Sequence, residues 1–246
     1  MPHAAVRSAT MLQALVTRLK SARQEGVSAP LPRIGVLIVS VVLATSAYIL
    51  LAVADAPPHQ RHFHFIDERG AITVLSAVYL AMSAAFSIGA FVVNLLVRDS
   101  SRWLWIALAL TLAFLSLDEL MQFHERLGRR LGEQASSGPF RNWNDLVVIA
   151  YGVAALPLAA VFLPSLLRYR FVLELFAAAA LCYAVHTTID STVEPSTDMS
   201  VIAEESCKLM CGAFLLLSTF VGFLGALSRN GLGSSSRSAT TAPARP

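Results

Sequence analysis

A chain of 246 residues that is 55% hydrophobic and only 14% charged, with a mean hydropathy of +0.61, lies far from the roughly 45–50% apolar and 25% charged balance of soluble domains, which excludes a water-soluble globular protein. The formal charge of +3 does not signal nucleic acid, because the Lys and Arg residues stand in short clusters between apolar runs rather than along one basic face. Cys182, Cys207 and Cys211 all fall inside apolar runs, so no disulfide framework is implied and they read as small apolar fillers.

Residues 1–33 form a basic N-terminal segment. Leu12, Leu15, Val16 and Leu19 repeat there at helical spacing with Arg18, Lys20 and Arg23 off the stripe, which suits a short surface helix or a cytoplasmic tail. A transmembrane domain follows over 34–227. Its first span, about 34–54, has the ~20 apolar residues that cross a bilayer core, too many for a signal-peptide core, and stops at Ala56-Pro57-Pro58. The next loop carries His59, His62 and His64, whose mixed spacing fits no closed metal motif. Phe63 and Phe65 in the same loop are expected at the headgroups.

The second span, about 71–97, is rich in small residues (Ser76, Ala77, Ser83, Ala84, Ser87, Gly89) that let helices approach closely in lipid. After Arg98-Asp99-Ser100-Ser101-Arg102, Trp103 and Trp105 open the third span where an aromatic belt would place them. That span runs into Ser116-Leu117-Asp118-Glu119 and on to His124-Glu125. A charge at the bilayer centre costs about 2.5–3.5 kcal/mol on insertion scales, so acids in an apolar run are a functional-site hypothesis by default. At about 100° per residue, Asp118, Gln122 and Glu125 share one helical face with His124 on its flank.

The fourth span, about 145–167, contains Pro157, and the fifth, about 171–189, closes with His186 and Asp190. The sixth, about 199–227, opens with Glu204, Glu205 and Lys208. Glu204 and Lys208 are i, i+4 in the order that favours an intrahelical ion pair. Residues 228–246 read as a disordered Gly/Ser/Pro/Ala tail. The fold expected is an all-α polytopic membrane bundle of six transmembrane helices.

Six spans put both termini on one side. That side holds twelve of the nineteen Lys and Arg residues, the other side six, and Lys208 lies within a span. The positive-inside rule then places both termini in the cytoplasm of a bacterial-type inner membrane, although Arg126, Arg129, Arg130 and Arg141 run against the trend. Asp118, Glu119, His124, Glu125, His186, Asp190, Glu204, Glu205 and Lys208 all fall at the outer face. Unpartnered buried acids are costly, and three helices delivering such groups to one depth imply a shared polar cavity.

Three functions suit such a cavity. A metal-dependent hydrolase or transferase acting on a lipid-like substrate would use Asp118, His124 and His186 as ligands of zinc, iron or manganese. Glu125 or Glu205 would then be general base, Glu204 would pair with Lys208, and Ser116, Glu119 and Asp190 would support the site. A proton- or cation-linked transporter needs polar groups through the full thickness, yet the opposite halves of these spans are almost wholly apolar. An ion-paired scaffold or assembly protein would use the same charges only to orient helices. Membrane lipid is the expected partner in each case, and nucleic acid in none.

The runs Ser116-Leu117-Asp118-Glu119, His124-Glu125 and Glu204-Glu205 with Lys208 and Gly212 resemble a group of uncharacterised bacterial multi-spanning membrane proteins built on S-L-D-E, H-E and E-E-x-x-K. That resemblance implies no established activity. More remotely, a serine, an acid and histidines at helix ends are similar in site chemistry to the ceramidase and progestin-receptor-like superfamily of membrane hydrolases. Its members have seven spans and an H-x-x-x-H pair, where this chain reads His186-Thr187-Thr188-Ile189-Asp190.

Overall fold

The computed structural model describes residues 33–57, 70–134, 143–192 and 198–230, together with Gln13, Thr17, Ser21 and Phe65. Seven helices follow one another: α1 (Ile34–Asp55), α2 (Ala71–Leu96), α3 (Arg102–Met121), α4 (Phe123–Gln134), α5 (Trp143–Leu166), α6 (Val172–Thr192) and α7 (Asp198–Arg229). No strand occurs among the described residues. All but α4 are long and apolar enough to cross a membrane, which is the architecture of a multi-pass membrane protein. Gln13, Thr17 and Ser21 are helical. The histidines at 59, 62 and 64, and the tail beyond residue 230, lie outside the described residues.

Helix α7 sits at the centre, packed on α6, α2 and α1, while α2 also carries α3. The α2 surface explains why. Ser76, Ala77, Ser83, Ala84, Ser87 and Ala90 are buried, and two of the hydroxyls are satisfied within the helix, Ser83 donating to the Tyr79 carbonyl at 2.7 Å and Ser87 to that of Ser83 at 2.8 Å. A small-residue face that consumes its own polarity lets a neighbouring backbone come close. Other hydroxyls tie helices together. Ser116 donates to the Ala77 carbonyl (2.9 Å), Ser218 to that of Val172 (3.0 Å), and the Thr45 and Tyr79 hydroxyls meet at 2.9 Å.

Two aromatic expectations are corrected. Trp103 is exposed as a belt residue should be, but Trp105 is fully buried, because two residues along a helix turn a side chain by about 200°. Its indole N–H donates to the Tyr169 hydroxyl at 3.2 Å, and that hydroxyl donates to Asn94 Oδ1 at 3.2 Å. Phe65 does not turn outward but is buried, packed with Ile49, Ile72, Val201 and Leu209. Pro157 and Pro164 are both accommodated within α5.

At the end of the bundle where α7 stops, Asp99 in the α2–α3 turn gathers three segments. Its carboxylate accepts the Ser101 N–H at 2.7 Å and lies 3.3 Å from both Arg168, in the α5–α6 turn, and Arg229. Burial opposes its ionisation, yet the Ser101 N–H and hydroxyl and the two arginines outweigh burial and hold the carboxyl below its usual range. A carboxyl lowered in this way contributes stability that is present above its unfolded pKa, about 3.9, and is lost as pH falls through the folded value. The thermal midpoint of wild type should therefore drop on acidification below about pH 4. Asp99→Asn should be less stable at neutral pH, by about 1.5–3 kcal/mol, and should lack that share of the acid sensitivity.

Candidate functional site

Helix α3 ends where no glycine or proline marks an end. Gln122 takes a left-handed conformation (φ 56°), and its N–H donates to the Asp118 carbonyl at 2.7 Å. The chain then restarts as α4, and the Asp118 side chain closes the start of the new helix. Oδ1 accepts the His124 backbone N–H at 2.9 Å and Oδ2 lies 3.0 Å from His124 Nδ1. An acid at a helix N-terminus satisfies an otherwise unpaired N–H and meets the positive end of the dipole. The single face expected for Asp118, Gln122 and Glu125 is thus corrected. It presumed unbroken helix through Gln122, and the break rotates Glu125 into the first turn of α4.

Asp118 is 4% exposed. The His124 imidazole is half-buried, and burial disfavours its cation. The hydrogen bond and charge of Asp118, joined by Glu125 and Glu119, more than offset this and hold its pKa above the ordinary histidine range. With Nδ1 committed to the carboxylate, Nε2 is the nitrogen left to exchange a proton.

Beside this dyad lies an ionic triad. Lys208 Nζ is 2.7 Å from Glu205 Oε2, one turn back on α7, and 3.1 Å from Glu119 Oε1 on α3. The ion pair expected between Glu204 and Lys208 is therefore replaced by an i, i+3 pair plus an interhelical one. Glu205 is buried on the face turned toward α3, and Glu204, one residue earlier, is rotated about 100° from it. The Glu204 backbone carbonyl meets His186 Nδ1 at 3.3 Å, joining α7 to α6. Asp190 is near enough for its charge to bear on Glu205, and the charge of Asp118 reaches Tyr151 on α5.

The structure thus brings Asp118, Glu119, His124, Glu125, Glu205, Lys208 and His186 to one end of the bundle. Ser116 is not among them, since its hydroxyl is spent on α2. The ligand set Asp118, His124 and His186 is not assembled. Among the described residues no three His, Cys, Asp or Glu side chains converge as a metal site. Buried polar atoms at this end nonetheless lack a hydrogen-bond partner, Gln122 Nε2 and Ser191 Oγ among them. Such atoms ask for water or a polar ligand. Cys182 and Cys207 are free thiols and line a shallow, largely apolar groove of about 370 Å³ with Ser46, Ile49, Leu50, Ser206 and Met210.

The helix break at Gln122 and the nearness of Tyr151 escaped the sequence reading. The only sequence trace of the first is an acid, Glu125, placed as in the opening turn of a helix. No curated protein and no solved structure matches the chain. Over residues 34–222, however, it matches a domain of unknown function, DUF8692, so the chain belongs to that family.

Proposed function

We propose that the protein is an inner-membrane hydrolase or transferase that acts at the outward face on the polar end of a lipid-like substrate, with both termini cytoplasmic. The observation that carries this reading is the 3.0 Å contact of Asp118 Oδ2 with His124 Nδ1 at the membrane boundary. A carboxylate on Nδ1 fixes the tautomer and orients Nε2, the arrangement that general bases need. In the step proposed, Nε2 takes a proton from water as the water oxygen bonds to the acyl or phosphoryl centre. The imidazolium then returns that proton to the leaving oxygen as its bond breaks. Glu125 supports the imidazolium charge, and Glu205 with Lys208 and Glu119 holds α7 against α3. Elemental analysis of the purified protein for zinc, iron and manganese tests the metal-assisted variant of the reading.

The test is incubation of detergent-purified protein with mixed micelles of total membrane lipid, with products followed by mass spectrometry. His124→Gln should lower turnover about 10²–10⁴-fold, the usual worth of a positioned base. Activity should rise with pH, with its inflection above the ordinary histidine value of about 6.5, since only the neutral imidazole accepts a proton. Asp118→Asn should move that inflection to lower pH while keeping the cap, whereas Asp118→Ala should in addition cost about 0.5–2 kcal/mol of stability through the lost cap. Because the folded imidazole is raised, its contribution to stability is complete below about pH 6.5 and disappears as pH climbs through the folded value. A wild type that leaves every lipid class unchanged would remove the enzyme reading.

An ion-paired scaffold is the second reading. It is favoured by the Lys208 triad, in which each charge is met within 3.1 Å. It predicts that substitutions at Lys208 alter stability and assembly while no lipid product is formed by wild type.

A further inference from the structure

Helix α4 has three faces. Gly128 is buried, and Gly132 lies against the Trp143 ring, so one face meets the bundle. About a third of a turn or more away, Phe123 and Leu127 point outward, 36% and 48% exposed. Beyond them Arg126, Arg129 and Arg130 are exposed, and no carboxylate among the described residues pairs with any of the three. The helix begins two residues after α3 ends, so it lies at the edge of the hydrocarbon. A short helix that turns one face to protein, one apolar face outward and beyond it a face of exposed arginines has the character of an interfacial helix.

We propose that α4 is an anionic-lipid recognition element, whose Phe123 and Leu127 enter the acyl region while Arg126, Arg129 and Arg130 hold the phosphates of acidic phospholipids. Guanidinium groups bind phosphate oxygens in a bidentate fork, and a basic residue at a charged leaflet is worth a severalfold enrichment of anionic lipid. This assignment also accounts for arginines on the side that the positive-inside count leaves poor. On an amphipathic surface helix they serve lipid contact rather than topology. The assignment is independent of the proton-transfer reading, because none of the three arginines or two apolar residues takes part in the Asp118–His124 contact.

The test uses full-length protein reconstituted in phosphatidylcholine vesicles containing spin-labelled phosphatidylglycerol or spin-labelled phosphatidylcholine. The fraction of motionally restricted label reports lipid held at the protein surface. Wild type should favour phosphatidylglycerol by about fivefold, the worth of one fully engaged arginine, and the preference should fall in high salt. Arg126→Gln/Arg129→Gln/Arg130→Gln should bring the ratio close to one without changing the thermal midpoint, and Arg129→Gln alone should give an intermediate ratio. Equal restriction of both lipids by wild type would overturn the proposal whatever the variants do, as would an unchanged preference in the folded triple variant.

Discussion

Replacing Lys208 with Met should destabilise the protein by about 3–5 kcal/mol, the penalty for leaving buried charge without its partner. The ammonium is the shared counter-ion of Glu119 and Glu205, at 3.1 and 2.7 Å, and both carboxylates are largely shielded from solvent. Removing it leaves two like charges facing each other in a medium where Coulomb repulsion is poorly screened. The sign should reverse when the acids are removed as well. Lys208→Met/Glu119→Gln/Glu205→Gln should recover most of the loss, because a neutral cluster has no uncompensated charge. Thermal unfolding in detergent across the single, double and triple variants measures the coupling directly. A Lys208→Met protein within about 0.5 kcal/mol of wild type would show that the triad carries no such energy.

Gly222→Ala should be the most damaging glycine-to-alanine change among the described helix glycines. A Cβ at this position would collide with Cη2 of Trp105 and lie 2.8 Å from its Cζ2, so the indole must move. It has nowhere to go, being fully buried and packed edge-on against Tyr169 at 5.1 Å. Moving it also breaks the chain of hydrogen bonds from Trp105 through Tyr169 to Asn94, which links α3, the α5–α6 turn and α2. Overpacking costs about 1–3 kcal/mol and more in rigid surroundings, and each buried hydrogen bond lost adds about 1 kcal/mol, so a loss of 3 kcal/mol or more is expected. Trp105→Phe introduced into Gly222→Ala should restore part of it by removing the colliding ring. Chemical denaturation of the two variants decides the matter, and an unshifted Gly222→Ala midpoint would mean that α7 slides past α3 freely.

Hydropathy and helical period made the spans legible, and the depth of the charges along them made the clustered end legible too. What could not be read was partner choice. The i, i+4 rule points Lys208 to Glu204 because it considers one helix. The actual partners are decided by which of two adjacent glutamates faces α3. Asp118 was placed on one face with Gln122 and Glu125 because its run reads as unbroken helix. The left-handed Gln122 has no glycine to announce it, and the break turns the acid into a cap. Asp99 was passed over as part of a basic turn, though a lone acid between Arg98 and Arg102 was the visible trace of a knot whose other strands lie far along the chain.

Those two knots sit on the same helix. Lys208 and Arg229 stand about six turns apart on α7, which at 1.5 Å per residue separates them by roughly 31 Å, the thickness of an ordinary hydrocarbon core, about 30 Å. Each ion pair ties α7 to neighbours that end or turn at the same level. The bundle therefore cannot readily shorten or lengthen its apolar girdle by sliding one helix. It has a fixed gauge, and a bilayer several ångströms thicker or thinner must either deform around it or submerge one of the knots.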